Sequence, residues 1–443
     1  MDTLIQQIRK TEKVDELPKL NKKLYESEKQ IKKSQNQISN ALESLALPQH
    51  TLGYVHLLAV RAGTEIKNPI EFVDQARQVL QIGDDQQLCL AKDKLAAVCR
   101  QFVACTLLTD LPVRGIIPLQ RAVNIMNLGD SNTLLTSVHT DFVRLCLKTK
   151  MYNIALPVVE KPYYQIKAKE TGMEVFDYLS YHYYAGLVFL GHKKFAKALE
   201  SFQLVLTTQS SALSTIQVEA FKRYAICSLI VHGELSQLPG KITSQIVSRN
   251  IERVCLTYVD FARAYKKSHD AAQRVLEEKV EEFKKDKTLG IAKQAVSVLV
   301  KRNILRLTNT YVTLSLTDLA KMANLRNTAQ AESALLSMIE EGTLFAKINQ
   351  KDGMVSFLED PEEYDTTGMV EKMDSKIKEV VELSKKLKEA DKQITLDPAY
   401  IKKTTPLSDS EKGGVVGAGI GGVMGMGGRE EMEMKLAMEM SMQ

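Results

Sequence analysis

Leu314-Ser-Leu-Thr-Asp-Leu-Ala320 and, further on, Leu344-Phe-Ala-Lys-Ile-Asn-Gln-Lys-Asp-Gly-Met-Val-Ser-Phe357 decide how the later part of this 443-residue chain folds. In the first stretch Ser315 and Asp318 have capping-box spacing: the Ser315 hydroxyl can accept the amide of residue 318 while the Asp318 carboxylate reaches back to the amide of residue 315. Leu314 and Leu319 sit at the staple positions, so a helix starts at Leu316 and runs to about Ala323. A second helix starts near Asn327 or Thr328 and ends before Gly342. In the second stretch Leu344, Ala346 and Ile348 alternate with Phe345 and Lys347, a turn falls at Asp352-Gly353, and Val355 and Phe357 alternate again. That pattern is a β-hairpin. Tyr311-Val-Thr-Leu314 is a short β-prone run before them all. Strand, helix, helix, hairpin is the order of a winged helix.

Upstream the period changes to that of helices. Between Pro162 and Pro361 the sole proline is Pro239, and apolar residues recur at spacings of three and four. Breaks at Gly83-Asp-Asp, Gly129-Asp-Ser-Asn, Gly172, Gly191-His-Lys-Lys, His232-Gly233 and Pro239-Gly240 divide residues 48–285 into paired helices. The clearest pair runs from Tyr181-His-Tyr-Tyr through Phe189, then Gly191-His-Lys-Lys, then Phe195 to Phe202. Small Gly186 lets two backbones approach, and Ala198 with Phe202 fills the facing helix, which is the spacing of a tetratricopeptide unit. Other units match loosely, so the expectation is a mainly α chain: an irregular TPR-like helical-repeat solenoid, then a winged-helix module, then a long C-terminal helix. The rings of Tyr178, Tyr181, Tyr183 and Tyr184 read as core rather than as a peptide groove. Residues 1–47 form an N-terminal helical arm, where Leu20, Leu24 and Ile31 make an apolar stripe beneath a solvated charged face.

Downstream, residues 366–394 form one long helix with Met369, Met373, Ile377, Val380, Leu383 and Leu387 on one stripe and charge on the other face. Left in water, that stripe forfeits its burial energy, so it is expected to pack in a bundle with helices of other subunits. Residues 395–443 are Gly- and Met-rich, with nine of the 23 glycines between Gly413 and Gly428, and are expected to be disordered alone. Within them Glu430-Glu-Met-Glu-Met-Lys-Leu-Ala437-Met-Glu-Met-Ser441 places Ala437 and Ser441 four apart after an acidic start, as ubiquitin-interacting helices do. Methionines in place of the usual leucines and a missing trailing acid favour a plain tail.

Chemistry is conspicuous by its lack of motifs. Lys+Arg 59 against Asp+Glu 54 leaves a net charge of +5, too little over this length for a strongly basic face. The second winged-helix helix carries Glu332, Glu340 and Glu341 and no Lys or Arg, which opposes entry between two phosphate walls. Neither nucleic acid nor a membrane is therefore an expected partner. The six cysteines contain no CxxC and lie in apolar stretches, as buried thiols of an intracellular protein do. The seven histidines include no HExxH or His-x-His, and no GxxxxGK[ST] or GxSxG occurs, so no catalytic residue, metal or cofactor is expected. Gly417-Ala-Gly-Ile-Gly-Gly422 spells GxGxxG but lacks the strand and helix that a dinucleotide fold needs. The start of the chain has no signal-peptide pattern.

Leu307-Thr-Asn-Thr-Tyr311, Leu314 to Ala320, Glu332 to Gly342 and Phe345 to Phe357 together resemble a PCI domain, the module shared by subunits of the proteasome lid, the COP9 signalosome and a translation initiation factor complex. Within that family Tyr181-His-Tyr-Tyr, Gln237-Leu-Pro239, Thr243-Ser-Gln-Ile-Val and Ile348-Asn-Gln-Lys-Asp-Gly353 are most similar to the signalosome branch. The resemblance covers most of residues 50–400. It implies that residues 198–285 are the helical part of the PCI domain and 286–365 its winged helix. It also implies a non-catalytic scaffold of cytoplasm and nucleus that assembles with other COP9 signalosome subunits and acts on cullin-RING ligases indirectly, supporting removal of a ubiquitin-like modifier from cullins. The strand around Leu344, Phe345, Ala346 and Ile348 is expected to be a sheet edge open to a neighbour. The alternatives are a PCI subunit of the proteasome lid or the initiation factor complex, or a nucleic-acid-binding winged helix.

Overall fold

The computed structural model describes residues 2–10, 16–33, 38–64, 66, 68–109, 112–128, 133–210, 212–323, 325, 327–358, 366–398 and 400–401. Two compact units result, Met1–Glu359 and Asp360–Gln443. In the first, consecutive helices pack on one another, most closely Val175–Gly191, Phe195–Thr207 and Thr215–Val231. Gly186 is required at the first of these contacts: a Cβ there would lie 2.5 Å from the Phe202 ring, which is itself fully buried. The turn between the pair closes at Lys193, whose φ is 57°. Tyr181 is buried, with its ring edge-on to Tyr163 at 5.9 Å between centroids, while Tyr178, Tyr183 and Tyr184 are half-buried against the same core.

The helix Leu17–Lys33 buries Leu20, Leu24 and Ile31 in that core and packs on the helix Thr51–Ala62. Polar anchors fix its register. Asn21 Oδ1 meets His56 Nε2 at 2.8 Å, Lys94 Nζ donates to Glu28 at 2.7 Å, and the Tyr25 hydroxyl donates to Asp93. These ammonium contacts from Lys94 and Lys32 hold the Glu28 carboxyl down at about 2. One continuous apolar core runs from Ile8 to Leu299.

A second, smaller core belongs to the winged helix. The strand β1 (Thr313–Ser315) leads into helices Leu316–Met322 and Thr328–Glu340, followed by β2 (Ala346–Asn349) and β3 (Met354–Phe357), with sheet order β1-β3-β2, both pairings antiparallel. Ser315 caps as its spacing predicts, accepting the Asp318 amide at 3.1 Å, and Leu314 and Leu319 are buried. The return half differs: the Asp318 carboxylate accepts the Ser315 hydroxyl at 2.7 Å instead of the amide, so one hydroxyl both accepts from and donates to the same residue. In the hairpin loop Asn349 Nδ2 donates to Asp352 at 2.6 Å and Gly353 takes a φ of 62°. That left-handed residue is what glycine supplies cheaply.

The helix Leu289–Thr308 serves both cores. Ala292, Ala295 and Leu299 belong to the repeats and Ile304 to the winged helix. The second unit contains the helix Thr367–Leu396, thirty residues or roughly 45 Å at 1.5 Å per residue. Residues 402–443 lie outside the described residues, and Ala437 and Ser441 with them.

Buried polar groups in the repeats set the pH response. Burial holds His139 neutral, with its basicity lowered to about 3, and its Nδ1 accepts the Thr136 amide at 3.2 Å. His56 falls to about 4 for the same reason. Asp141, buried with one carboxylate oxygen unpartnered, is pushed the other way, up to about 7.

Gly186→Ala and Phe202→Leu each destabilise the chain, but the double variant unfolds in urea with a loss smaller than the sum by about 1 kcal/mol, since the smaller side chain makes room for the new methyl. Additive losses would contradict the contact. For Asp141 the folded pKa lies above the unfolded one, so its contribution is complete in acid and is lost as pH rises through about 7. Asp141→Asn should therefore be more favourable relative to wild type at pH 8 than at pH 5, by on the order of 1–3 kcal/mol. His56→Gln and His139→Gln should shift relative stability the opposite way, gaining on wild type as pH falls from 7 to 5, because each neutral histidine must stay unprotonated in the fold.

Candidate interaction surfaces

Among the described residues no group of three or more His, Cys, Asp or Glu side chains could hold a metal ion. All six cysteines are free thiols. Burial pushes Cys146 and Cys227 up to about 12 and Cys255 to about 11, so these thiols stay protonated and poor as nucleophiles. What the molecule presents instead is surface.

The first surface is the free side of β2. Antiparallel residues alternate between bonding across the pair and pointing away from it. The Leu358 amide bonds to the Phe345 carbonyl at 2.8 Å, and the register pairs Lys347 with Ser356 and Ile348 with Val355. Phe345, Lys347 and Asn349 therefore bond inward to β3, and the amides and carbonyls of Ala346 and Ile348 point outward. No described strand pairs with that side. Of the side chains, Leu344 is 5% exposed and belongs to the winged-helix core, Ala346 and Ile348 are half-buried against it, Phe345 is half-buried, and Lys347 is exposed. The edge thus offers backbone groups, and Leu344 acts as the anchor that holds it rather than as a contact.

The second surface is the stripe of the helix Thr367–Leu396. No residue of this helix is buried, and Met373, Ile377, Val380 and Leu387 are each at least 60% exposed, with Met369 and Leu383 at 37%. Its opposite face is tied along the helix by ion pairs, Lys378 to Asp374 at 2.6 Å and Lys386 to Glu382 at 2.8 Å. The acidic second helix of the winged helix engages its acids locally: Glu341 takes Lys301 at 2.6 Å and Glu332 takes Gln350 at 2.8 Å.

Two further surfaces lack a sequence signature. Ile70, Val113 and Ile117 are 53–72% exposed around shallow cavities that also include Arg77 and Arg114. They come from separate helices and fall out of phase with the core stripes, so only the fold brings them together. A cavity of about 570 Å³ opens where the repeats meet the winged helix, lined by Lys266, Lys267, Arg302 and Arg306 among others.

Comparison with known proteins bears on these surfaces. A family described as COP9 signalosome complex subunit 3, N-terminal helical repeats, matches residues 14–247, and the PCI domain family matches residues 266–359. A relative from Dictyostelium discoideum named COP9 signalosome complex subunit 3 is 35% identical over 387 residues, 87% of this chain and 92% of its own length. One of the same name from Arabidopsis thaliana is 36% identical over 377 residues, covering 82% and 84%. The PCI match takes in the whole of the helix that carries both cores together with the winged helix after it, and the repeat match lies entirely upstream of that helix, so sequence kinship and the observed architecture agree: this chain belongs to the PCI-containing COP9 signalosome subunit 3 family.

Proposed function

We propose that the chain is a non-catalytic scaffold subunit of the COP9 signalosome, working in cytoplasm and nucleus and supporting cullin deneddylation, and through it cullin-RING ligases, without touching the chemistry. Kinship over most of the chain carries this reading. The exposed stripe of the C-terminal helix supports it, because six apolar side chains at roughly 1.5–3 kcal/mol each amount to on the order of 10 kcal/mol gross that only a partner can recover. In this reading residues 1–47 are the N-terminal helical arm and 48–285 the TPR-like repeats, with 198–285 forming the helical part of the PCI domain. Residues 286–365 present a sheet edge, and 366–394 enter a bundle with other subunits. No helix among the described residues is long and apolar enough to cross a membrane. Mass spectrometry of what co-purifies with the tagged chain tests the assignment: the other signalosome subunits in equal amount are expected, and proteasome-lid or initiation-factor subunits in their place would replace it.

The two surfaces are separable. Ala346→Pro removes an outward-pointing donor without touching the bonds to β3, so the variant should fold normally yet recover several-fold less of its partners; wild-type recovery would exclude the edge. Truncation after Pro361 should leave the melting temperature of the isolated chain within a few degrees of wild type while abolishing entry into the complex. A truncated chain that unfolds, or that assembles normally, would remove the helix from the interface.

A further inference from the structure

The cavity between the last repeats and the winged helix is walled by cations from separate elements. Lys266 and Lys267 end the helix Leu256–Lys267, and Arg302 and Arg306 lie one turn apart on the helix Leu289–Thr308. Ser268 and His269, at the start of the helix His269–Glu278, bring the positive end of that helix to the same space. Glu234 is the single carboxylate among the described lining residues, and it is engaged by Lys266 at 3.1 Å. Asp270, next to the rim, lies 3.5 Å from His269 Nδ1. Lys267 and Arg306 have no ion-pair or hydrogen-bond partner among the described residues.

Arg302 is the fixed member of the set. Its Nη2 donates to the carbonyls of Ile230 and Val231 at 3.1 and 2.9 Å, while its buried Nη1 has no partner. Gly233 makes that seat: its φ is 83°, and a Cβ there would lie 1.7 Å from Nη1. Carbonyl dipoles thus hold a guanidinium whose charge no carboxylate offsets. Lys267, Arg302 and Arg306 together leave a local excess of about three positive charges in a space of about 570 Å³, a volume ordinary for small-molecule sites.

Leu299, Leu307 and Met322 are the aliphatic side chains of the lining, so apolar contact is a minor part of recognition. A single phosphate brings roughly −1.5 to −2 and would leave the excess unbalanced. We propose that this cavity is a binding site for a compact small molecule carrying two or more phosphate groups, with Lys267 and Arg306 as its phosphate contacts and Arg302 as the charge at its floor. The guanidinium of Arg306 suits a phosphate because its donors form a planar fork. The ligand would brace the repeats against the winged helix, since its walls come from both.

Calorimetry on the full-length chain at low salt, with inorganic tripolyphosphate as probe, tests this. Saturable binding near one equivalent is expected, weakened at least tenfold in the double variant Lys267→Ala/Arg306→Ala and unchanged in the control Lys284→Ala/Lys285→Ala, with both variants melting as wild type does without ligand. Absence of saturation at millimolar probe would overturn the site, as would equal weakening in both variants. A glutamate-rich peptide that binds through Lys267 and Arg306 more tightly than tripolyphosphate would overturn it too, assigning the cavity to an acidic protein segment.

Discussion

Rotation of the helix Leu289–Thr308 about its own axis is the degree of freedom on which the first unit depends. Ala292 and Ala295 are both fully buried beneath the repeats, and the Tyr265 hydroxyl donates to the Ala295 carbonyl at 3.2 Å, while Ile304 is fully buried in the winged-helix core. One residue of rotation, about 100°, would withdraw both sets at once. The turn that starts this helix is clamped accordingly. Asp286 accepts Lys222 Nζ and the Tyr258 hydroxyl, each at 2.8 Å, and Arg223 reaches its carbonyl at 3.3 Å. Lys287 with φ of 57° reverses the chain before Thr288, fully buried, meets the same tyrosine hydroxyl at 2.8 Å. Farther along, Lys301 pairs with Glu341 and Arg302 seats on the carbonyls of Ile230 and Val231. The repeats therefore dictate how the winged helix is held.

That constraint also explains the sheet edge. A core as small as the winged helix's is filled by its own helices together with Leu314, Leu344, Val355 and Phe357, and no described strand pairs with the outer side of β2. An uncovered edge invites indiscriminate pairing. Here it is four residues long and has exposed Lys347 at its middle, which discourages a second copy of the same strand by placing like charges together while still admitting a strand of other composition. Shortness and charge thus guard the edge against self-pairing.

Much of this was legible in the sequence, for reasons that can be named. Ser315, Asp318, Leu314 and Leu319 act over a handful of residues, and local rules read them directly; so do the hairpin around Asp352-Gly353 and the small Gly186 facing Phe202. The sheet edge was legible through alternation, although which backbone groups face outward required the register. What escaped reading was set by distance along the chain. Gly233 and Arg302 make one seat from residues far apart, and Lys267 and Arg306 share a cavity only because two helices bring them there. Isolated cations in a chain of balanced charge give no signal until the fold removes their counter-charges. Asp141 is the same case in reverse: a carboxyl in an ordinary helical pattern, unusual only because the helix Ser137–Lys148 buries it.

The helix Thr367–Leu396 shows why an apolar stripe can stand exposed without the element melting. Isolated helices become marginal below about 12–15 residues because nucleation is costly, and at thirty residues this one is well beyond that limit. Straight-chain Lys and Glu dominate its sequence, proline is absent, and ion pairs spaced three or four residues apart add a few tenths of a kcal/mol each on the solvated face. Helical order is thus supplied by the helix itself, so a partner that covers the stripe does not also have to order the backbone, an entropic cost of roughly 1–2 kcal/mol per residue for a disordered segment. A partner covering the stripe would therefore keep more of its burial energy than one that also had to order the backbone, with the loss of translational and side-chain freedom still to be offset. Methionine at positions 369 and 373 suits the same end, since an unbranched thioether adapts to the partner surface it meets instead of demanding one shape.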